Sequence, residues 1–529
     1  MQARPLFGAT CFLLGERISG LELNGSDAAR GNERKTDCEY HCRFFMPEKT
    51  GFAKLTPATF IQQRQLMDIL KKMFGKATNK AEAGSHQEIT TVSDINRSVI
   101  NIVNNYYCAS DKSLSPEDLK RYMQDYLYGL MDTCASLDWF EQVDLQDEKA
   151  QQVKLDSVYT ALLTTTLNEV KKDNHFSDKQ NYSAVEMLNR HDKLVIAGAP
   201  GSGKSAFVNF VTLCMAGELL QKPHCNLALF TQPLPDEEGK PQAEKQLWQH
   251  GALVPLRIIL RDFASSAYFP VSVQEATAKS LLDFIEADLS NKSYKEFYPL
   301  LTKCLSNSDV LVMFDGLDEV PEADKRREVM KKCIETFRNR YSGNRFLITL
   351  RPYAYQEVRW KIAKFTETSL ANFSRGQICL FIDLWYQDYE KLAAEVNEKR
   401  TAELKNVIFN VKALQDLAER PLLLTLIAFL HRNRHELPHR RAALYKELLD
   451  LLVKKWEKAR FPFKDAEEAK SQPSLSAFLQ VGYEAIYLVL ERLAFNAHAK
   501  QKINEKGVAD IAEDTLVVAL NKLVIEQSR

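Results

Sequence analysis

The chain has 529 residues, of which 45% are hydrophobic and 26% charged, and its 70 Lys plus Arg balance 70 Asp plus Glu. That length suggests about three or four domains, each large enough for its own core. The composition is ordinary for a soluble globular protein, and a net charge of zero gives no long-range attraction to nucleic acid or anionic membrane. Ten cysteines without paired spacings fit reduced thiols better than a disulfide framework.

Residues 1–55 are weakly patterned, and "NGSDAARGNERK" reads as loop or disorder. After Arg4, "PLFGATCFLLG" resembles a short signal-peptide core, but the run meets Glu16 and Arg17 with no small-residue cleavage site. No apolar run in the chain approaches the roughly 18 residues of a membrane span, so a cytoplasmic location is expected. Cys38, His41 and Cys42 in "DCEYHC" lack the second ligand pair that a zinc site needs, and no metal is expected there.

Residues 56–172 are expected to form a helical N-terminal domain. "PATFIQQRQLMDILKKMF" and "SPEDLKRYMQDYLYGLMDTCASL" space their apolar positions three and four apart, and "INRSVINIVNNYYCASDKS" fits a shorter helix and a loop. Ser115 reads as an N-cap, with Pro116 at the first helical position and acidic residues in the first turn. No internal repeat is visible in this part.

The pattern then changes. "KLVIAG" (193–198), "ALVPLRIIL" (252–260), "DVLVMFDG" (309–316) and "RFLITLRP" (345–352) are short unalternated apolar runs, as expected of strands buried on both faces. "VQEATAKSLLDFIEADL" and "KRREVMKKCIETFRNRY" between them have helical spacing, so residues 173–372 read as an α/β domain with a parallel sheet. Beyond 372 only helical spacing is found: "SRGQICLFIDLWYQDYEKLAAEV", "LLLTLIAFLHRN", "RRAALYKELLDLLVKKWEKA" and "SLSAFLQVGYEAIYLVLERLAFNAHA". A helical subdomain at 373–438 and a further one at 439–529 are expected.

Within the first apolar run, Gly198, Ala199, Pro200, Gly201, Ser202, Gly203, Lys204 and Ser205 match G-x-x-x-x-G-K-[ST]. A chance match in a chain of this length has a probability of roughly 2% at average composition. The loop follows a strand-like run and opens the helix "SAFVNFVTLCMAGELL", the placement that points backbone N–H groups and the positive helix end at phosphates, with Ala206 also among the expected nucleotide-binding residues. Lys204 is expected to reach the β- and γ-phosphates and Ser205 to ligate Mg²⁺. A second apolar strand ends in Asp315, placed to hold Mg²⁺, and Asp318 or Glu319 is placed to orient an attacking water as general base. Arg351, just past another strand, is a candidate γ-phosphate contact.

These segments, with "LAERPLLLTLIAFLHRNRHELPHRRAALYKELLDLLV" after them, resemble NACHT-type STAND ATPases over roughly residues 150–500. The acidic signature Asp315, Gly316, Asp318, Glu319 is its most specific mark. The resemblance implies a P-loop NTPase core with a mostly parallel sheet, flanked by an all-helical N-terminal region and by helical and winged-helix C-terminal subdomains. It makes Lys204 and Ser205 the Walker A residues, Asp315 and Glu319 the Walker B residues, and Arg351 the first sensor arginine. By the same resemblance Pro421 contacts the adenine, and the helices from about 440 begin a winged helix. No repeat array follows and no closing histidine can be assigned, His498 being a weak candidate, so a truncated winged helix or a sensing partner is expected. Residues 58–150 loosely resemble the helical N-terminal regions of bacterial members, without an enzymatic signature.

The resemblance further implies ATP or ADP with Mg²⁺ as ligands, slow hydrolysis coupled to a conformational switch, and self-association on opening. It also implies a trigger of foreign origin, such as a phage protein, in bacterial defence. The competing expectations are an AAA-like remodelling or nucleic-acid-linked ATPase, disfavoured by the neutral charge and the absence of an aromatic-basic groove, and a scaffold in which ATP is only structural.

Overall fold

The computed structural model describes residues 102–103, 115–135, 154–166, 182–320, 325–352, 361–389, 394–434, 437–438, 443–444, 446–448, 450, 479–499 and 513–527. The apolar run after Arg4, the cluster of Cys38, His41 and Cys42, the helix expected over 57–74 and most of those expected over 95–113 and 440–459 lie outside these residues. The chain divides into two compact units. The larger spans Thr78–Leu437 and the smaller includes Pro438–Arg529.

The larger unit is built on a mixed sheet of six strands: β1 (Thr164–Thr166), β2 (Lys193–Ala197), β3 (Val254–Ile259), β4 (Val310–Asp315), β5 (Arg345–Leu350) and β6 (Thr366–Leu370). Their order is β1-β6-β2-β5-β4-β3. All neighbours are parallel except β1, which runs antiparallel against β6. The four apolar runs read from the sequence are β2 to β5. β4 is buried at all six positions, as a central parallel strand covered on both faces must be.

Helices connect the strands. In chain order the principal ones are α1 (Pro116–Ala135), α2 (Ala184–Arg190), α3 (Lys204–Leu219), α4 (Leu260–Ser265), α5 (Ala278–Asn291), α6 (Tyr298–Asn307), α7 (Arg326–Arg340), α8 (Arg375–Leu384), α9 (Ala394–Asn410), α10 (Lys412–Ala418) and α11 (Pro421–Arg434). The cap read at α1 is present: Asp118 N donates to Ser115 Oγ at 3.1 Å, and Pro116 opens the helix. Ser183 with Glu186 and Ser374 with Gln377 form reciprocal capping boxes that start α2 and α8. α3 is buried along most of its length, with Phe207, Val208, Val211 and Met215 among its buried side chains, which is why it is apolar all round. In the smaller unit the described elements include α12 (Tyr483–Ala499) and α13 (Glu513–Gln527). α12 starts after Gly482, later than the uninterrupted helix read from residue 474 onward, and its backbone includes His498.

One expectation is corrected. Residues 56–172 are not wholly helical, because Thr164–Thr166 is a strand of the sheet, joined to β6 through Thr164↔Leu370 and Thr166↔Thr368. The expected mostly parallel sheet is present, with β1 alone antiparallel. Three threonines are too few to show a period, and β6, "TETSL", carries polar residues where an apolar run was sought; both become strands by pairing with each other and, for β6, with β2.

Candidate functional site

The site begins where β2 ends. Gly198 N bonds to Leu350 O at 3.0 Å, holding the first loop residue against β5, and Ser202 N bonds to Ala199 O at 3.1 Å, closing the turn. Pro200 is buried beneath it. Gly201 and Gly203 have φ of +74° and +91°, which a side chain would strain, and Gly203 is the N-cap of α3, its carbonyl accepting from Phe207 N at 2.8 Å. Lys204, Ser205 and Ala206 are therefore the first turn of α3, whose leading N–H groups have no intrahelical acceptor. The loop is closely walled: a Cβ on Gly198 would stand 2.4 Å from Ser202 Oγ, and one on Gly201 would stand 3.1 Å from Leu422 Cβ.

Because β5 lies between β2 and β4, its C-terminal end inserts between the loop and the acidic turn after β4. Thr349 uses that position twice: Oγ1 donates to Asp315 Oδ1 at 2.6 Å and accepts from Gly316 N at 3.0 Å. Ser205 Oγ lies 3.4 Å from the same Oδ1. Asp315 Oδ2 accepts from Arg257 Nη2 on β3 at 3.2 Å. Arg351 holds Asp318 by two contacts, Nε to Oδ2 at 3.0 Å and backbone N to Oδ1 at 3.1 Å. Arg261, in the first turn of α4, pairs with Glu319 at 3.3 Å. Each of these three carboxylates thus has an arginine partner, and Arg261 also pairs with Asp262 at 3.8 Å, so that Lys204, Arg257, Arg261 and Arg351 stand with four carboxylates.

Lys204 Nζ donates to the carbonyls of Gly198 at 2.6 Å and Ala199 at 3.1 Å. The side chain keeps a little solvent-facing surface but has protein on nearly every side. That desolvation pulls its ammonium down to about 8, and the Arg351 charge acts the same way, while Asp318, Asp315 and Glu319 oppose them. Ser202 Oγ is buried and makes no hydrogen bond among the described residues.

A ceiling comes from outside the sheet. α11 presents its N-terminus to the loop: Leu422 N donates to Gly201 O at 3.2 Å, and Pro421 Cγ lies 3.7 Å from where a Gly203 Cβ would sit. Leu162, just before β1, approaches the same point to 3.3 Å. The segment before β1 is tied down by Ala184 N to Leu162 O at 2.8 Å and Gln377 Nε2 to Ala161 O at 2.6 Å. β6 is joined to α10 through Phe373 N to Glu419 O at 2.7 Å.

The structure gathers Gly198–Ser205, Ala206, Asp315, Asp318, Glu319, Arg351 and Pro421 around one loop, though they are spread over more than two hundred residues of sequence. Arg257, Arg261, Thr349, Leu162 and Leu422 were missed. Arg257 left a signal, since a lone arginine inside "VPLRIIL" is out of place in a strand covered on both faces; the others left none. The fold and site together define an α/β chain with a glycine-rich loop between a central strand and a buried helix, at the carboxyl ends of parallel strands where ligands gather. No family model matches the chain, and no curated protein does so.

Proposed function

We propose that this chain is a nucleotide-binding switch of the NACHT-type STAND class, with ATP or ADP and Mg²⁺ as its ligands. The observation that carries the reading is the convergence of Ser205 Oγ and Asp315 Oδ1, 3.4 Å apart, at the mouth of a loop that opens a helix. The residues fit the ligands on three counts. The glycine cradle leaves no room for side chains, so backbone can come close to phosphate oxygens. Ser202 Oγ is a buried hydroxyl with an unused hydrogen-bonding capacity. One hydroxyl and one carboxylate are what a magnesium ion shared with a nucleotide takes from protein.

When bound, ATP with Mg²⁺ supplies a hydrolysable phosphoanhydride. The chain's own contribution is positioning. Lys204 and the leading N–H groups of α3 neutralise phosphate charge. Asp315, fixed by Thr349 and Arg257, presents one oxygen beside Ser205. Glu319 is the residue to accept a proton from water, because Asp318 is held at both oxygens by Arg351. Pro421 and Leu422 place α11 against the loop, so what the loop holds bears on the seating of the helices attached to α11. A nucleotide that binds two such seatings unequally shifts their populations, and in this reading the opened form self-associates, in a bacterial defence role set off by a foreign protein.

Equilibrium uptake of labelled ADP and ATP tests it. Wild type binds both saturably with magnesium present, Lys204→Ala loses binding, and Glu319→Gln keeps binding while hydrolysis falls by about 10²–10⁴-fold and the ATP-bound assembly accumulates on size exclusion. Absence of saturable uptake by wild-type protein overturns the proposal.

A further inference from the structure

Arg257 is only 14% exposed, yet it sits in the middle of β3 and reaches towards β4. Along β3, Pro255, Arg257 and Ile259 project to one face of the sheet. The register pairs Arg257 with Met313 and Ile259 with Asp315, so Asp315 shares that face. α3 covers it, with Thr212 Oγ1 against Met313 Sδ at 3.9 Å. α1 lies against α3 and reaches the same strand at two points. Tyr126 OH donates to Pro255 O at 2.8 Å, two residues before Arg257. Cys134, near the end of α1, is fully buried and within electrostatic reach of the Arg257 guanidinium.

Arg257 is thus held by a carboxylate of the site while its strand is held two residues earlier by α1. Its Nε has no acceptor among the described residues. A mostly buried guanidinium that loses one partner must redistribute its remaining bonds, because an unmatched buried charge is costly. α1 is itself well anchored: Tyr126 stacks on Phe297 at 4.4 Å between centroids and meets Tyr294 edge-on at 6.1 Å. A shift of α1 is therefore felt at Arg257 as a movement of a rigid wall.

We propose that Arg257 is a positioning residue that couples the seating of α1 to the orientation of the Asp315 carboxylate, so that the helix preceding the sheet and the magnesium-binding end of the site regulate each other. The inference rests on the nucleotide-site reading for its consequence, but the coupling is a property of the chain alone. Such coupling is reciprocal. Loosening α1 alters the magnesium concentration at which nucleotide binds, and changing Asp315 alters the protection of α1.

Two measurements on the full chain test it. In the first, hydrogen exchange is followed without nucleotide in wild type and Asp315→Asn. The variant removes the charge that holds Arg257, and α1 amides are expected to exchange faster by about threefold or more while α5 amides do not change. Equal α1 exchange in the two proteins overturns the coupling. In the second, the magnesium midpoint for fluorescent ADP binding is compared in wild type, Tyr126→Phe, Arg257→Lys and the double variant. Tyr126→Phe is expected to move the midpoint by about threefold or more, and to move it far less when Arg257 is already lysine. An unmoved midpoint, or the same shift in both backgrounds, overturns it. Wild-type protein that takes up no ADP sinks the nucleotide reading instead, and the exchange measurement still decides the coupling.

Discussion

Thr349 offers the sharpest test of how the acidic turn is held. Its side chain is 1% exposed, and its hydroxyl both donates to Asp315 and accepts from Gly316 N. Thr349→Val keeps the branched shape, so it opens no cavity, but it deletes both bonds. The stranded Gly316 N–H costs about 1–3 kcal/mol, and the lost bond to a charged carboxylate another about 1.5–3 kcal/mol. Because the two share one atom they do not simply add, and the expected loss is about 2–5 kcal/mol. Thr349→Ser keeps the hydroxyl and loses a methyl group, costing about 1 kcal/mol. Urea unfolding followed by tryptophan fluorescence reads the difference as a lower midpoint at unchanged slope. Should the valine variant prove as stable as the serine variant, the hydroxyl does not hold the turn and the reasoning fails.

Three further outcomes are expected. Burial holds the Lys204 ammonium at about 8 instead of 10.5, so the free site loses its cation as pH rises through about 8. Nucleotide affinity then falls towards tenfold per pH unit above that point, and a titration series from about pH 7 to about pH 9.5 shows the fall in wild type and its near absence in Lys204→Ala. In the ligand-free protein the sign is opposite, folding gaining from this group as pH climbs from about 8 towards 10.5, because the neutral amine is the form that burial favours. The buried pair of Arg351 and Asp318, 11% and 5% exposed at the side chains, predicts that Arg351→Ala destabilises by about 3–5 kcal/mol, and that adding Asp318→Ala recovers part of the loss; strictly additive unfolding energies would show that the pair is not coupled. A Cβ on Gly376 would lie 1.6 Å from the Asp236 carbonyl oxygen, so Gly376→Ala must push the 235–241 turn off α8, and limited proteolysis within that turn should speed up by about tenfold or more. Unchanged cleavage would mean that the turn does not brace α8.

The central architecture was legible because it depends on local composition. β2 to β5 are mostly apolar runs, a property that a strand buried on both faces imposes on its own residues. The loop of Gly198–Ser205 was legible for a related reason, its backbone demanding glycine at fixed positions. β1 and β6 were not, because threonine-rich segments become strands only when a neighbour offers its edge. The cap of α1 at Ser115 is local and was read; the start of α12 after Gly482 was not, since helical spacing runs through the break.

By itself, the amino-acid sequence determined the α/β character of the larger unit and a glycine loop opening a helix beside an acidic strand end, because each depends on residues close together along the chain. Only the tertiary structure decided which groups answer that loop. Inserting β5 between β2 and β4 put Thr349 against Asp315 and Arg351 against Asp318; the register of β3 on β4 brought Arg257 to Asp315; and α11, far along the chain, came to rest on Gly201. Such partnerships arise from strand order and packing, which bring together side chains whose spacing in sequence carries no trace of their contact.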